Sequence, residues 1–318
     1  MKKIFYTAIA SLLLCACSNE VEPIENAKKG VELTMSATIS KSAETRTTYT
    51  RETVGMTVDW EAEEAITLVS FDDSGITAVD NFTSSGAAGR EKAEFTGTWN
   101  GHPGDKVICL YPALSTTAGT TLFDNVTAGS TSINVNFPEH QLTTDISKIK
   151  NWDIMIGSVS ISGGTAHVTL DKKTAVLEFV LSGGYPYDSS DGTGKYIIAV
   201  GVSAYSGTTS TLFAKTASLA VTKSTYTGDI VPATYYENNY KQNLDPQLTT
   251  YNGTYYFPVL ADGTLSAGDQ IKLYYYFTQR DGTSNPWDHM RNNYKIKSLT
   301  SSFTVTPGNI YKITGVGL

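Results

Sequence analysis

Histidine is the side chain best placed to move a proton near neutral pH, and this chain has four: His102, His140, His167 and His289. They are scattered, and none has a second histidine or a cysteine at metal-ligand spacing. Trp287-Asp288-His289, with Arg280, Asp281 and Arg291 close by, has the ingredients of an acid-base site, and the same composition suits a solvated polar loop. No Gly-x-Ser-x-Gly elbow, phosphate-binding glycine loop or dinucleotide fingerprint stands in a usable context. Nor does any pattern mark the two facing carboxylates that glycoside hydrolysis requires. The reading is of a protein that is not an enzyme, with no catalytic residue, cofactor or metal ion expected. Chemistry done to the chain is better marked than chemistry done by it. Lys41-Ser42-Ala43-Glu44-Thr45-Arg46-Thr47-Thr48 is a polar tether with a basic residue near its centre, well suited to a protease.

The element that this tether would hold lies just before it. Val31, Leu33, Met35, Ala37 and Ile39 alternate with Glu32, Thr34, Ser36, Thr38 and Ser40, a period of two that puts one apolar row on one face of an extended strand. One cut in the tether would detach that strand. The same residues also suit a permanent edge strand followed by an ordinary loop, with Arg46 merely solvated.

Upstream, Lys2-Lys3 precedes an apolar stretch from Ile4 to Leu14, too short to span a bilayer, which ends in Leu14-Cys15-Ala16-Cys17. Small residues before a cysteine resemble the lipobox of bacterial lipoproteins, so residues 1–16 are read as a signal peptide and Cys17 as the lipidated first residue of the mature chain. An ordinary secretory leader cut nearby is the alternative. Acyl chains on Cys17 would hold the protein to a membrane without a transmembrane helix. Residues 17–30, with Glu20, Glu22 and Glu25 and no periodicity, read as a flexible tether. Cys109 is then the one thiol left in the folded body, in an apolar run that suits a small buried residue.

Few charged residues (17%), 27 glycines, 19 tyrosines and no long helical spacing beyond the first twenty positions predict an all-β protein. A net charge of -7 leaves no electrostatic footprint for nucleic acid, so none is expected as a partner. Length allows two domains, set at 31–163 and 164–318 with the boundary near Gly163-Gly164. Short strands punctuated by glycine and proline suggest sandwiches. Thr234 to Tyr251, without clear periodicity, reads as a long loop.

The order of pieces resembles the fimbrillin family, the building blocks of type V pili. It runs from the lipobox at Cys17 and the alternating strand through Thr45-Arg46-Thr47, a strand ending in Trp60, and the apolar strand from Ile66. Ala93-Glu94-Phe95-Thr96-Gly97, Tyr111-Pro112-Ala113, Trp152-Asp153-Ile154-Met155 and Pro307-Gly308-Asn309-Ile310-Tyr311-Lys312-Ile313 complete it. Where the family often has Gly-Asp, this chain has Glu63-Glu64, with a turn still expected. The resemblance implies two tandem transthyretin-like β-sandwich domains in a lipoprotein precursor exported to the outer membrane. It also implies cleavage by an arginine-specific protease, at Arg46-Thr47 or second at Arg51, loss of the first strand, and its replacement by a strand from a neighbouring subunit. That donor usually comes from the C-terminal region, where this chain offers only the strand at Asn309 to Thr314 and a short tail.

Tyr235, Tyr236, Tyr240, Tyr251, Tyr255, Tyr256, Tyr274, Tyr275, Tyr276 and Trp287 could form a glycan- or protein-binding surface, or be shared between a core and a sheet face. Rival functions are a non-polymerising surface adhesin or glycan-binding lipoprotein, a pilus anchor or tip, and, last, a sandwich-fold glycoside hydrolase.

Overall fold

The computed structural model describes residues 30–40, 50–51, 56–57, 60–84, 92–114, 122–137, 146–181, 194–235, 242–248, 253–261, 263–280 and 291–313. Its strands begin with β1 (Val31–Ile39), β2 (Thr50–Arg51), β3 (Met56–Thr57), β4 (Ala65–Asp72), β5 (Gly75–Ser84), β6 (Lys92–Trp99), β7 (Lys106–Tyr111), β8 (Phe123–Asp124) and β9 (Ser132–Asn136). A 3-10 turn at Ile146–Trp152 leads to β10 (Met155–Ser162), β11 (Thr165–Lys172), β12 (Thr174–Leu181), β13 (Gly194–Ser206), β14 (Thr209–Thr211), β15 (Phe213–Ala220) and β16 (Val231–Tyr235). The remainder are β17 (Gln242–Leu248), β18 (Gly253–Ala261), β19 (Gly263–Leu265), β20 (Gln270–Arg280), β21 (Arg291–Ser298), β22 (Phe303–Val305) and β23 (Ile310–Ile313). The protein is all-β, as its composition predicts.

β1, β11, β10, β7, β4, β5 and β6 close into a barrel. Periodicity explains their places. β11 alternates strictly and β1 does so from Glu32 onward, because each turns one face into the barrel and the other outward. β4 and β7 are instead almost continuously buried, as strands covered on both faces must be. Ile66 and Leu68 point into the barrel, where Val107, Cys109 and Tyr111 meet them. Val69 and Phe71, with Ile108 and Leu110, join a second core outside it. That core also takes Leu177 and Phe179 of β12, Phe257 of β18, Leu219 of β15 and Val202 of β13.

Beyond the barrel, one sheet runs in the order β23-β12-β18-β15-β9-β8, with β16 also on β15, and another runs β14-β13-β20-β21, with β17 also on β13. Residues Val31–Leu318 form one compact unit.

Two sequence expectations meet a different arrangement. The domain boundary set at Gly163-Gly164 falls inside the barrel. Ser162 pairs with Thr165 across these two residues, and both have positive φ (58° and 82°), the geometry of a two-residue hairpin turn between β10 and β11. The chain leaves the barrel only after Lys172, and β8 and β9, from the first half, belong to the second sheet. Gln242–Leu248, expected within a loop, is a strand on β13. It lacks periodicity because it lies on the sheet's margin, where Pro246 is tolerated. Within the expected all-β fold, the strand ladder of the first half closes on itself as a barrel, because β1 bonds to neighbours on both sides.

Glu63-Glu64 does form the expected turn, with Glu63 at a φ of 63°. A residue without a side chain would enter that left-handed region more easily.

Candidate functional site

β1 occupies a slot in the barrel wall. It runs antiparallel to β6, with Leu33 opposite Gly97 and Met35 opposite Phe95, and parallel to β11, with Met35 opposite Ala166 and Ile39 opposite Leu170. The ladder continues one residue past the strand, where Ser40 N–H donates to the Leu170 carbonyl at 2.8 Å. A strand held this way satisfies its own backbone and the facing edges of β6 and β11 together.

Burial follows the alternation with one exception. Met35 and Ala37 are fully buried, and Leu33 and Ile39 nearly so, but Val31 is 48% exposed. Val31 stands opposite Trp99 at the start of the ladder, where the barrel no longer covers it. It therefore drops out of the apolar row that holds the strand. Leu33, Met35 and Ile39, at ~1.5–3 kcal/mol each, contribute roughly 5–9 kcal/mol of gross burial, an upper figure because unfolded chains already hide apolar surface.

The slot is shaped by residues outside β1. A Cβ on Gly97 would stand 2.9 Å from the Phe82 ring, so glycine there lets Phe82 lie beneath Leu33's partner strand. At the end from which β1 leaves the barrel, Trp60 meets Phe95 edge-on at 5.0 Å and Tyr111 at 5.5 Å between ring centroids. Tyr111 donates its hydroxyl to Glu64 at 2.9 Å, the Glu61 N–H also donates to Glu64 at 3.0 Å, and Lys150 pairs with Glu61. Burial raises the Glu64 carboxyl above its ordinary 4.5, against the lowering effect of those two donors. Trp60 and Tyr111 both stand in the ordered pieces that carry the family resemblance. Their meeting at one end of the slot has no local signal, since it joins strands far apart in the chain.

The outer face of β1 is polar. Glu32 accepts from the Thr98 hydroxyl, and Ser36 and Thr38 line an open groove with Lys92, His167 and Asp171.

The other sequence candidates sort as follows. Cys17, Arg46 and Thr47 lie outside the described residues. Arg51 lies in β2, paired with Met56 of β3. Cys109 is buried inside the barrel, and burial pushes its thiol upward, away from reactivity. Tyr255 and Tyr256 are both buried, on opposite faces of β18, and so cannot belong to a binding surface. Tyr235 is half-buried, and Tyr274, Tyr275 and Tyr276 run in β20 between β13 and β21. Tyr236, Tyr240, Tyr251 and Trp287 lie outside the described residues, as do His140 and His289. His102 sits 3.8 Å from Asp105, and among the described residues no group of three or more histidines, cysteines or carboxylates could hold a metal ion.

Fold and slot together define an all-β protein in which the first described strand is one stave of a closed barrel. No family profile matches the chain, and no curated protein matches it. Among solved structures it is similar to a candidate cell adhesion protein from Bacteroides uniformis, at 15% identity over 85% of this chain and 98% of that one, with a TM-score of 0.40. A candidate cell adhesion protein from Bacteroides ovatus is similar at 12% identity over 86% and 89%, with a TM-score of 0.41. The fimbrial anchor protein Mfa2 from Porphyromonas gingivalis is similar at 8% identity over 85% and 83%, with a TM-score of 0.35.

Proposed function

We propose that this protein is a structural subunit of a cell-surface fimbria, exported as a lipoprotein lipidated on Cys17 and assembled by exchange of its first strand. In this reading β1 is a plug. A cut at Arg46-Thr47, or at Arg51, frees it, and a strand from a neighbouring subunit takes its place between β6 and β11. The observation that carries the reading is the slot itself. β1 supplies the barrel's closing ladder on both sides and buries Leu33, Met35, Ala37 and Ile39, and the stretch that follows it in the sequence after Ser40 is polar. An empty slot would leave two unpaired strand edges over an apolar cavity, a state that favours capture of another extended segment. The resulting polymer would support adhesion at the cell surface, with neighbouring subunits as partners. The chain divides, in this proposal, into a barrel-bearing N-terminal part and a C-terminal sandwich.

A second reading has its own observation. β23, the last described strand, already lies on β12 in parallel register from Ile310 opposite Val176, so that segment is engaged within its own chain. That favours a subunit that receives a strand without giving one, such as a pilus anchor or tip, or a non-polymerising adhesin.

The deciding experiment is the N-terminal sequence and mass of the protein recovered from the cell surface, beside an Arg46→Ala variant. A mature start at Thr47, with SDS-resistant ladders that vanish in the variant, is the expected result for a polymerising subunit. A lipid-modified start at Cys17 with monomer only would overturn strand exchange.

A further inference from the structure

Asp153 and Lys172 form a buried pair with no part in the proposed assembly. Asp153 follows the 3-10 turn and immediately precedes Ile154 and β10, and Lys172 is the last residue of β11. Their side chains are 3% and 5% exposed, the Lys172 Nζ bonds directly to Asp153 Oδ2, and the Thr174 hydroxyl donates to Asp153 Oδ1 at 2.6 Å. The backbone around them is pinned. Met155 pairs with Lys172 in the β10–β11 ladder, and the Lys173 N–H donates to the Ile154 carbonyl at 2.8 Å. Fully buried Ile154, Met155 and Leu170 flank the pair in sequence.

We propose that Lys172 and Asp153 condense into an intramolecular amide that cross-links the two ends of the β10–β11 hairpin. Three physical conditions for that reaction meet here. An amine and a carboxyl held in contact by rigid strands react at a high effective concentration. Removal of water disfavours the charged pair, and burial pushes the Lys172 amine down, towards the neutral nucleophile. A hydroxyl donor on Oδ1 is already aimed at the oxygen that carries negative charge as the carbonyl carbon becomes tetrahedral.

The atoms balance without a co-reactant. A proton passes from the Lys172 ammonium to Oδ2, and the Nζ lone pair attacks Cγ. The C–N bond forms while charge gathers on Oδ1 against Thr174. A second proton leaves nitrogen with Oδ2, the C–Oδ2 bond breaks, and one water departs. A neutral amide replaces two buried charges, which the surroundings hold at lower cost. The cross-link would also fix β11, the strand on which β1 rests in parallel register.

The test is intact-mass spectrometry on the purified full chain under denaturing conditions, followed by digestion. The expected result is a mass lighter by one water than the unmodified chain, with a branched peptide that joins the Asp153 and Lys172 segments. Lys172→Arg should restore the full mass, and Asp153→Asn should lose ammonia in place of water. A wild-type chain at full mass, with the two segments recovered only as separate linear peptides, overturns the proposal, as does a water loss that persists in Lys172→Arg. The wild-type measurement decides alone if either variant fails to fold.

Discussion

Once its tether is cut, β1 becomes a non-covalent ligand of its own barrel, and Met35 is the residue on which its retention should depend most. Met35 is completely buried at the middle of the ladder, opposite Phe95 on one side and Ala166 on the other. Met35→Ala removes most of that side chain from a site walled by rigid strands, a change that costs about 2–5 kcal/mol for buried large-to-alanine substitutions. At ~1.4 kcal/mol per factor of ten, the cut strand should be held roughly 30-fold to several-thousand-fold less tightly. The assay cuts the purified chain within residues 41–49 with an arginine-specific protease. It then follows loss of the β1 peptide by size exclusion and mass, with excess free β1 peptide present to prevent rebinding. Val31→Ala is the control, because an exposed side chain should change retention by less than about 0.5 kcal/mol. Equal retention in the two variants would refute the claim that the buried row, rather than the backbone ladder alone, holds the strand.

Ala37 is fully buried, so Ala37→Leu should overfill the slot and cost about 1–3 kcal/mol in chemical denaturation of the uncut protein; an unchanged midpoint would show spare room there. A Cβ on Gly157 would stand 2.2 Å from the Thr169 carbonyl oxygen, so Gly157→Ala should force β10 and β11 apart and lower the melting temperature, whereas a wild-type value would place those strands further apart than described. The raised carboxyl of Glu64 means that the folded state holds its proton to higher pH than the unfolded chain does. Its stabilising contribution is thus complete below 4.5 and is lost as pH rises through the raised value. Glu64→Gln should flatten that part of the stability-pH curve, and an unaltered curve would mean that Glu64 titrates normally.

Much of the barrel was legible in the chain because it rests on local pattern. Alternation over Val31 to Ile39 announces a strand with one buried face, and the apolar-rich runs of β4 and β7 announce strands. The all-β class and the interior place of Cys109 follow from the same kind of signal. The polar character of residues 41–48, on which the proposed cleavage rests, is a local feature of the sequence as well.

Other decisions belong to tertiary structure alone. Nothing near β1 in sequence selects β6 and β11 as its partners: the Glu32–Thr98 contact spans 66 residues, and the parallel pairing with β11 spans more. Val31 continues the alternation perfectly and is exposed only because the barrel wall ends beside it. Gly163-Gly164 has the composition of a linker and becomes a hairpin turn because β10 and β11 pair on either side. Asp153 and Lys172 carry no spacing signal at all; strand register brings an acid and a base into one dry site. Period-two patterning is written residue by residue, since it depends only on which face of an extended chain each side chain takes. Partner choice is not, because it is the joint outcome of every strand competing to bury its face and satisfy its edges.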